Sequence, residues 1–594
     1  MGYQFLNSWY YEPQRERDAN GKYREKYPDV LIYTLKDVKT LETKLVVLEK
    51  PTIEYYIAKT PQPYHKFSMP VEELNKQMCY YGDRNRSIAK SLGLLDYFYD
   101  SFRNHTNQQF VRQMQMNPNV YLATINIEDY MKTQCILRQG ELYAPRYNTG
   151  FGDIELDTSR YPYKGVPPPD IAPCPINLIT YIDTNTKSVY SFILYDERVG
   201  KEIKEVISDP QAFLQEYADP DILKENFKYY FKAYQTELEL ITDFFHTLHV
   251  LKPDFVGWWN MAFDIPTIIN RLKNEYKLSR QQIGNIMCHP DIPPQYRIVQ
   301  YIPDPKRSAF DVKEDDDEDE EEEEKEHKSK NSQNRPHPSR LWDYAKIPGY
   351  TQHFDQMTNF SNLRKRWLLK SYKLKEIGKS HGGVNKMDLE DLGYDIKTVF
   401  IENFKLGLAY NIQDSYVQYK IDQNQHDINN LVLFSGNSRV MKSHSASITI
   451  KNEIYINLFR ENQIMGSEVY YDIFEKLDGA IVGRPELIEQ LGILVQGVPS
   501  YIFDDVIDLD ATSLYPSLMI INNLFKSAIY GRVTDVYVNN VKYSSGVGLF
   551  EAIQTIDQSI LDIGQQYFKL PSVSDICALI EQNATFRYNE KRAY

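Results

Sequence analysis

Apolar and polar positions alternate differently along the chain and divide it into regions with different predicted structure. Near the start, the apolar runs 30–33 and 45–48 predict β-strands, and residues 85–104 have helical spacing. No chemical motif stands out in this part of the sequence. We interpret residues 1–140 as an N-terminal domain.

Strand-like and helix-like stretches alternate over residues 145–430, which is typical of an α/β domain. The apolar runs 176–182 and 189–194 predict a pair of strands, residues 224–249 predict a long helix, and residues 255–259 predict another strand. The predicted fold class is therefore α/β, or α+β when the chain is taken over its several domains.

A run of acidic residues interrupts the α/β region. Residues 314–326 contain twelve acids and one lysine, so they contribute −11 to the formal net charge of −14 and leave −3 for the rest. Because like charges repel and the run has little to bury, residues 311–339 are predicted to form a disordered acidic insertion. A solvated loop is the simplest interpretation, and a docking tail or DNA mimic for a basic partner is the alternative. The negative total does not exclude DNA binding, which needs basic residues along a groove.

Composition excludes several classes of protein. A length of 594 residues predicts about three to five domains, and a hydrophobic content of 42% supports large packed cores. The five cysteines form no C-x-x-C pair, which argues against a zinc ribbon and favours a reducing compartment, predicted as the cytoplasm. No signal peptide and no run of about 18 apolar residues is found, so no membrane partner is expected.

Three short polar clusters in the α/β region carry candidate metal ligands. Strand alternation places Asp153 and Glu155 on one face, with the residue between them facing the core. Asp264 follows the strand predicted to end at residue 259, and Tyr410 and Asp414 lie four residues apart on one helical face. Taken singly, such clusters are more often solvated strand edges, turns or helix surface pairs. Together they supply the hard oxygen ligands that suit Mg²⁺.

A further motif lies near the end of the sequence. Residues 508–517, Asp-Leu-Asp-Ala-Thr-Ser-Leu-Tyr-Pro-Ser, follow an apolar, strand-like lead. A carboxylate at a strand end can hold Mg²⁺, and the backbone N–H groups of the tight turn after it can bind a triphosphate. The pattern D-x-x-S-L-Y-P-S, beginning at Asp510, resembles motif A of family B DNA polymerases, the group that includes T4-like phage replicative enzymes.

The order of the carboxylate clusters extends this resemblance. The first two clusters lie 111 residues apart, the third follows after 150, and motif A follows after another 96. This succession resembles the Exo I, Exo II and Exo III motifs of the DEDDy proofreading exonucleases in family B polymerases. The resemblance implies an RNase H-like exonuclease domain with a mixed sheet at residues 141–430. It further implies a linker at 431–500 and, at 501–594, a partial palm with motif A and the start of the fingers region.

The resemblance also assigns roles in the exonuclease site. Two Mg²⁺ ions, with Mn²⁺ as a substitute, would be held there by four carboxylates. Tyr410 would orient the attacking water. The implied ligands are Asp153, Glu155, Asp264 and Asp414.

Further roles concern DNA and the incoming nucleotide. Asn260 and Phe263 would contact a frayed 3′ end, Phe263 by packing on a base. In the palm, Asp510 and the backbone carbonyl of Ala511 would bind the catalytic metals. The backbone N–H groups that would face the triphosphate are those of Ser513, Leu514 and Tyr515, and Tyr515 would also exclude a 2′-hydroxyl.

Two other polymerase motifs, Tyr-Gly-Asp-Thr-Asp and the Lys…Asn-Ser-x-Tyr-Gly helix, are not found in this sequence. We therefore expect either a truncated product or the N-terminal subunit of a split family B DNA polymerase for viral DNA replication. In the second case another polypeptide would supply motif B, motif C and the thumb. Expected partners are primer–template DNA, single-stranded 3′ ends and deoxynucleoside triphosphates, and a sliding clamp and other replisome proteins are further candidates. A non-catalytic replisome scaffold and a stand-alone 3′–5′ exonuclease are the alternatives.

Overall fold

The computed structural model describes residues 2–17, 23–62, 65–163, 165–305, 337–364, 369, 371–442 and 445–466, together with four short strands between residues 494 and 543. The chain divides into two compact units, Met1–Asp472 and Ile473–Tyr594.

The N-terminal part of the first unit consists of small antiparallel sheets and short helices. Its elements are β1 (Tyr3–Tyr11), β2 (Gln14–Arg17), β3 (Tyr23–Tyr27), β4 (Val30–Asp37), β5 (Thr43–Glu49), β6 (Thr52–Ala58), β7 (Ser68–Pro70), β8 (Leu74–Tyr80), α1 (Arg84–Ser91), α2 (Leu95–Arg103), α3 (Asn107–Gln115), β9 (Val120–Tyr121) and α4 (Ile127–Gln139). One sheet has the order β1-β4-β5, another has the order β8-β6-β9, and β2 pairs with β3. The strands predicted at 30–33 and 45–48 are confirmed as parts of β4 and β5.

The helical segment predicted at 85–104 forms two helices rather than one. Gly93, between α1 and α2, has a φ of 70°, which lies in the left-handed region that glycine adopts at low cost. A residue in that conformation cannot continue an α-helix, so the chain turns before α2 begins.

The central part of the first unit contains strands that alternate with helices. Its elements are β10 (Thr149–Leu156), β11 (Ile176–Asp183), β12 (Ser188–Leu194), α5 (Gly200–Ser208), α6 (Pro210–Tyr217), α7 (Pro220–Lys224), β13 (Lys228–Tyr234), α8 (Glu237–Leu251), β14 (Phe255–Trp258), α9 (Met261–Asn270), α10 (Arg280–Met287), β15 (Gln300–Ile302), β16 (Tyr344–Lys346), β17 (Gln352–Asp355), α11 (Gln356–Leu363), α12 (Leu374–Ile377), α13 (Val399–Glu402), α14 (Phe404–Gln425) and α15 (Asp427–Ser435).

Six of these strands form one mixed sheet in the order β13-β12-β11-β10-β14-β17. Strand β11 pairs antiparallel with both β10 and β12, whereas β13 pairs in parallel with β12, β14 with β10 and β17 with β14. This mixed sheet with its many helices confirms the predicted α/β class and is consistent with an RNase H-like exonuclease domain.

Buried side chains cover both faces of the central sheet. Alternation along β10 sends Phe151 into one cluster, which includes Leu408 and Ile412 of α14. Ile154 enters the other cluster, beside Phe244 of α8. The residues that share a face with Phe151, at positions 153 and 155, therefore lie on the side of the sheet that α14 covers.

The prediction of one long helix at 224–249 is wrong in its first half. Residues Lys228–Tyr234 form strand β13, which pairs in parallel with β12 along its whole length, and α8 begins only at Glu237. A capping box fixes this start, because the Thr236 side chain accepts from the Glu239 N–H while Glu239 bonds back to Thr236. Exposure at residues 228, 230 and 232 alternates with partial burial between them, which is the pattern of a strand at a sheet edge.

Residues after α15 return to the N-terminal part of the molecule, although the sequence placed a linker at 431–500. Helix α16 (Ala446–Arg460) contacts α4, and β18 (Gln463–Met465) pairs with β7. Tyr455 and Ile464 are buried in the same cluster as Leu31 and Ile53. Burial of these apolar side chains therefore stabilises the packing of residues 446–465 against the N-terminal part.

The predicted insertion 311–339 lies mostly outside the described residues, but its last residues do not. Pro338–Arg340 form a turn of 3₁₀-helix, held by a hydrogen bond between the His337 ring and the Tyr372 hydroxyl at 2.9 Å. The chain ends that flank the insertion are joined by paired strands β15 and β16 and by two reciprocal bonds. The Asp304 N–H donates to Asp343 Oδ1 at 2.8 Å, and the Trp342 N–H donates to Asp304 Oδ2 at 3.0 Å.

In the second unit the structure describes two short hairpins, β19 (Leu494–Val495) with β20 (Val498–Pro499) and β21 (Val536–Val538) with β22 (Val541–Tyr543). Asp510 and the other palm residues selected from the sequence lie outside the described residues. Across the described part of the chain, the longest and most apolar helices still fall short of what a membrane crossing requires.

Candidate metal centre

Strand β10 presents two carboxylates on one face of the central sheet. Asp153 and Glu155 are both partly exposed, and Ile154 between them is buried on the opposite face, as alternation predicts. Strand β10 lies inside the sheet with β11 and β14 as its neighbours, so its backbone is fixed on both sides. The two carboxylates are therefore held by a rigid element.

Helix α14 brings a third carboxylate to the same face. It contacts β10 and β11 and carries Asp414, whose side chain is buried. Carboxylate oxygens of Asp153, Glu155 and Asp414 all lie within 4.8 Å of one another. Residues separated by more than 250 positions in sequence therefore meet in one cluster.

Asp264 lies near this cluster, in the first turn of α9, and is 5% exposed. Asp355 at the end of β17 fixes the start of that helix, because it accepts a hydrogen bond from the Met261 N–H at 3.1 Å. Asp355 also accepts from the Thr358 N–H at the start of α11, at 2.6 Å. Sequence reasoning missed this positioning carboxylate, although Asp is one of the preferred N-cap residues at the start of a helix.

Tyr410 lies one helical turn before Asp414 on α14, and both residues line the same cleft. Burial, and then the charges of Asp414 and Glu155, raise the pKa of the Tyr410 hydroxyl far above its ordinary value. The phenol therefore keeps its proton at neutral pH and can both donate and accept a hydrogen bond.

Two further polar residues complete the cluster and were missed from the sequence. The Lys386 ammonium lies 2.5 Å from Asp414 Oδ2 and 4.6 Å from the centre of the Tyr410 ring. The Asn411 side chain is fully buried and donates a hydrogen bond from Nδ2 to Asp153 Oδ2 at 2.7 Å. Asn411 could have been found, since it lies inside the Tyr-x-x-x-Asp motif, whereas nothing in the sequence around Lys386 marks it.

The clustered carboxylates have strongly perturbed acidities. Burial raises the pKa of Asp153 to about 8, with a further rise from the charge of Asp414 and an opposing effect of Lys386. Burial also raises the pKa values of Glu155, Asp264 and Asp414, and neighbouring carboxylates add to the effect at Glu155 and Asp264. Negative charge at this place is thus incompletely balanced by the protein, and the cluster favours binding a proton or a cation.

The donor set fits a hard divalent cation. The ligand atoms are carboxylate oxygens, and neither histidine nor cysteine belongs to the group, which suits Mg²⁺ or Mn²⁺ better than Zn²⁺. In addition, Asp414 Oδ1 is buried and has no hydrogen-bond partner among the described residues. A buried carboxylate oxygen without a donor is a vacant ligand position for such an ion.

A cleft of about 1320 Å³ opens over the carboxylates. Asn260, which is exposed, and Phe263, which is half-buried, line it together with Tyr372 and Trp259. All the exonuclease residues selected from the sequence contribute to this lining, namely Asp153, Glu155, Asn260, Phe263, Asp264, Tyr410 and Asp414. The palm residues selected from the sequence lie outside the described part of the chain, namely Asp510, Ala511, Ser513, Leu514 and Tyr515.

Comparison with known proteins agrees with this geometry. Residues 170–328 match the family model for the exonuclease domain of DNA polymerase family B. A stretch of 124 residues is 30% identical to the DNA-directed DNA polymerase of Escherichia phage RB69 and spans 20% of this chain and 13% of the phage protein. Of the four carboxylates at the cleft, Asp264 lies within the range matched by the family model and the other three lie outside it. These matches show that residues 170–328 are similar to the exonuclease domain of DNA polymerase family B, and that the matched stretch spans only a small part of the phage protein.

Proposed function

We propose that this chain removes nucleotides from the 3′ end of DNA by metal-dependent hydrolysis and so acts as a proofreading exonuclease of a family B polymerase. One observation carries the proposal: three carboxylates from a central strand and a crossing helix place their oxygens within 4.8 Å of one another at the floor of an open cleft. The family match supports the same reading, because four strands of the sheet that holds the cluster, β11 to β14, lie within the matched range 170–328.

The carboxylates Asp153, Glu155, Asp264 and Asp414 would hold two divalent cations. When bound, such cations supply Lewis acidity at the scissile phosphate and an activated water at neutral pH. The fit lies in the ligand chemistry, since hard carboxylate oxygens are what Mg²⁺ prefers, and in the vacant Oδ1 of Asp414.

The protein's own groups orient and balance this chemistry. Tyr410 keeps its proton and lies beside Asp414, so its hydroxyl can orient the attacking water. Lys386 neutralises part of the negative charge at Asp414. Asn411 holds the Asp153 carboxylate through one hydrogen bond and so fixes the direction in which its oxygens point.

The walls of the cleft suit a single-stranded 3′ end. The half-buried ring of Phe263 can pack on a base, and exposed Asn260 lies at the start of the same helix with an amide that can bond to a base or sugar. Stacking accepts every base, which suits an activity that must remove any mispaired nucleotide.

Template-directed synthesis rests on other evidence. The motif A resemblance at Asp510 alone supports nucleotidyl transfer, with Ala511 as a metal ligand and Ser513, Leu514 and Tyr515 at the triphosphate. The hydrolytic part of the proposal does not depend on these residues.

The decisive experiment measures nucleotide release from a 5′-labelled single-stranded oligodeoxynucleotide by the purified full chain, with Mg²⁺, with Mn²⁺ and with EDTA. The proposal expects a ladder that shortens from the 3′ end, requires the cation and is blocked by a 3′-terminal phosphorothioate linkage. Asp153→Asn should abolish the ladder, while Asp170→Asn, an exposed aspartate away from the cleft, should not. No release with either cation would contradict the proposal and favour the non-catalytic scaffold.

A further inference from the structure

A second cavity, of about 750 Å³, lies between the β1–β2 connection of the N-terminal part and the central part of the first unit. Its walls come from residues 10–15 around the end of β1 and the start of β2, from the first turn of α10, from residues 295–300 and from Lys346 on β16. It shares no lining residue with the cleft over the carboxylates.

The cavity is lined by an excess of cations. Its lining residues include four cations, Arg15, Arg280, Arg297 and Lys346, and one carboxylate, that of Glu12. Arg15 and Arg280 form no ion pair with any residue that the structure describes. In a chain whose formal net charge is −14, four cations around one cavity make a local positive site.

Arg297 is held in place by three hydrogen bonds. Its guanidinium donates to the carbonyl oxygens of Ile292 and Pro290, each at 2.8 Å, and to Asn285 Oδ1 at 3.2 Å. These bonds use three of its five N–H groups and leave two for a ligand. Gly284 lets this segment pack closely on α10, because a Cβ there would lie 1.9 Å from the Arg297 carbonyl oxygen. The guanidinium is therefore positioned before any ligand arrives.

The opposite wall is also rigid. The Tyr11 hydroxyl donates to the Ile298 carbonyl at 2.7 Å, and Gln14 Nε2 donates to the Gln295 carbonyl at 2.9 Å. The Lys346 ammonium donates to the Tyr10 carbonyl and lies 3.7 Å from the centre of the Tyr11 ring. Aromatic rings, side-chain amides and cations thus line one open cavity.

We propose that this cavity binds the phosphate group of a nucleotide, either free or within a nucleic-acid strand. Planar guanidinium groups match the oxygens of a phosphate through paired hydrogen bonds, which a compact ammonium cannot do. The tyrosines and glutamines beside them offer a surface for the sugar and base. The site is separate from the metal centre, so the proposal stands whether or not the chain is a nuclease.

The test is hydrogen–deuterium exchange of the full chain in EDTA, where a metal-dependent nuclease cannot degrade the ligand. Three ligands are compared: inorganic phosphate, thymidine 5′-monophosphate and a short oligothymidylate. We expect slower exchange in peptides that cover residues 10–17 and 292–300. Protection by the monophosphate identifies a free nucleotide as sufficient, and protection by the oligonucleotide alone identifies a strand.

Variants then locate the effect. Arg15→Gln with Arg280→Gln should weaken binding about tenfold or more, because two charge-assisted contacts are lost. Arg86→Gln with Arg146→Gln removes the same charge from exposed arginines outside the cavity and should leave binding unchanged. Both arginines of the test variant are exposed, so their replacement should not disturb the core. Arg280→Gln alone serves as a milder variant if the double variant exchanges abnormally without ligand.

Protection by none of the three ligands would overturn the proposal. Equal losses in the two double variants would overturn it as well, because the effect would then come from total charge. Stronger protection by an oligoglutamate peptide than by any phosphate ligand would show that the cavity takes an acidic protein segment instead.

Discussion

Two buried aspartates, each paired with a lysine, differ in how completely their oxygens are satisfied. Asp254 and Lys36 both have fully buried side chains, 2.5 Å apart, and Asp254 also accepts from the Thr43 hydroxyl at 2.7 Å and from the Asn148 N–H at 2.8 Å. Asp414 has Lys386 at the same distance, but its other oxygen is buried without a donor.

The difference separates a structural ion pair from a ligand site. At Asp254 every oxygen is bound, and the pair joins β4 of the N-terminal sheet to the residue before β14. At Asp414 the protein leaves an oxygen free beside two other carboxylates, an arrangement that costs stability unless a cation binds. Incomplete satisfaction of a buried acid is thus the more informative sign of function.

Breaking the structural pair should have the largest effect on folding. Lys36→Met leaves the buried Asp254 charge without its cation, and we expect a loss of about 3–5 kcal/mol in stability. The urea midpoint of the first unfolding transition measures this loss. Lys26→Met removes a cation from an exposed pair with Glu16, at 3.0 Å, and should shift the midpoint little. Equal shifts in both variants would mean that burial does not distinguish the two pairs.

Removing a ligand should affect activity instead of folding. Asp153→Asn should lower nucleotide release in Mg²⁺ by about a hundredfold or more, since even partners of metal ligands are worth about ten- to a hundredfold. In EDTA its melting temperature should equal or exceed that of the wild type, because repulsion with Asp414 is relieved. A lower melting temperature in EDTA would show that Asp153 is structural, as Asp254 is.

The raised carboxyl pKa values predict how pH and Mg²⁺ act together. An acid whose pKa is raised by folding binds protons more tightly in the folded state, so its contribution to stability is present at low pH and falls as pH rises towards about 8, the pKa of Asp153. Mg²⁺ in hundredfold excess over its Kd should therefore restore about 2–3 kcal/mol near pH 8 and little near about pH 5. Thermal scans at both pH values with and without EDTA measure this, and a Mg²⁺ effect that is the same at both would contradict it.

The smallest expected effect comes from removing Asn411, the side chain that donates a hydrogen bond to Asp153. Asn411→Ala should raise the Mg²⁺ concentration needed for half-maximal nucleotide release about tenfold, because Asp153 loses the donor that orients it. Asn424→Ala, on the same helix, removes a bond to the Gly382 carbonyl at 2.8 Å and should not change the Mg²⁺ requirement. A similar change in both variants would indicate a general effect on α14.

Local pattern was sufficient to predict much of the central sheet. The strands at 176–182, 189–194 and 255–259 are present because apolar runs of that length are buried on both faces. Strand β13 was read as part of a helix because Lys-Tyr-Tyr-Phe-Lys-Ala-Tyr shows little apolar alternation, and its pairing with β12 decides its structure.

The candidate site was predictable where ligands form motifs and unpredictable where partners meet only in three dimensions. Asp153, Asp264 and Asp414 were found by order and residue type, and the structure brings them to one cleft. Lys386 reaches Asp414 from a segment without a recognisable pattern, and Asp355 acts through the start of α9. Such contacts depend on the crossing of elements that local sequence does not encode.

The two reciprocal bonds between Asp304 and the Asp343 region make the base of the acidic insertion an attachment point for engineering. The entropic cost of closing a loop rises by only about 0.6 kcal/mol for each doubling of its length. Because hydrogen bonds already join the two ends of this loop, the fold should tolerate a foreign segment in place of residues 306–336. Gln300 and Lys346, on the two strands of this hairpin, line the basic cavity. The fluorescence of a reporter inserted there would report ligand binding in the adjacent cavity, and it could be followed on single molecules.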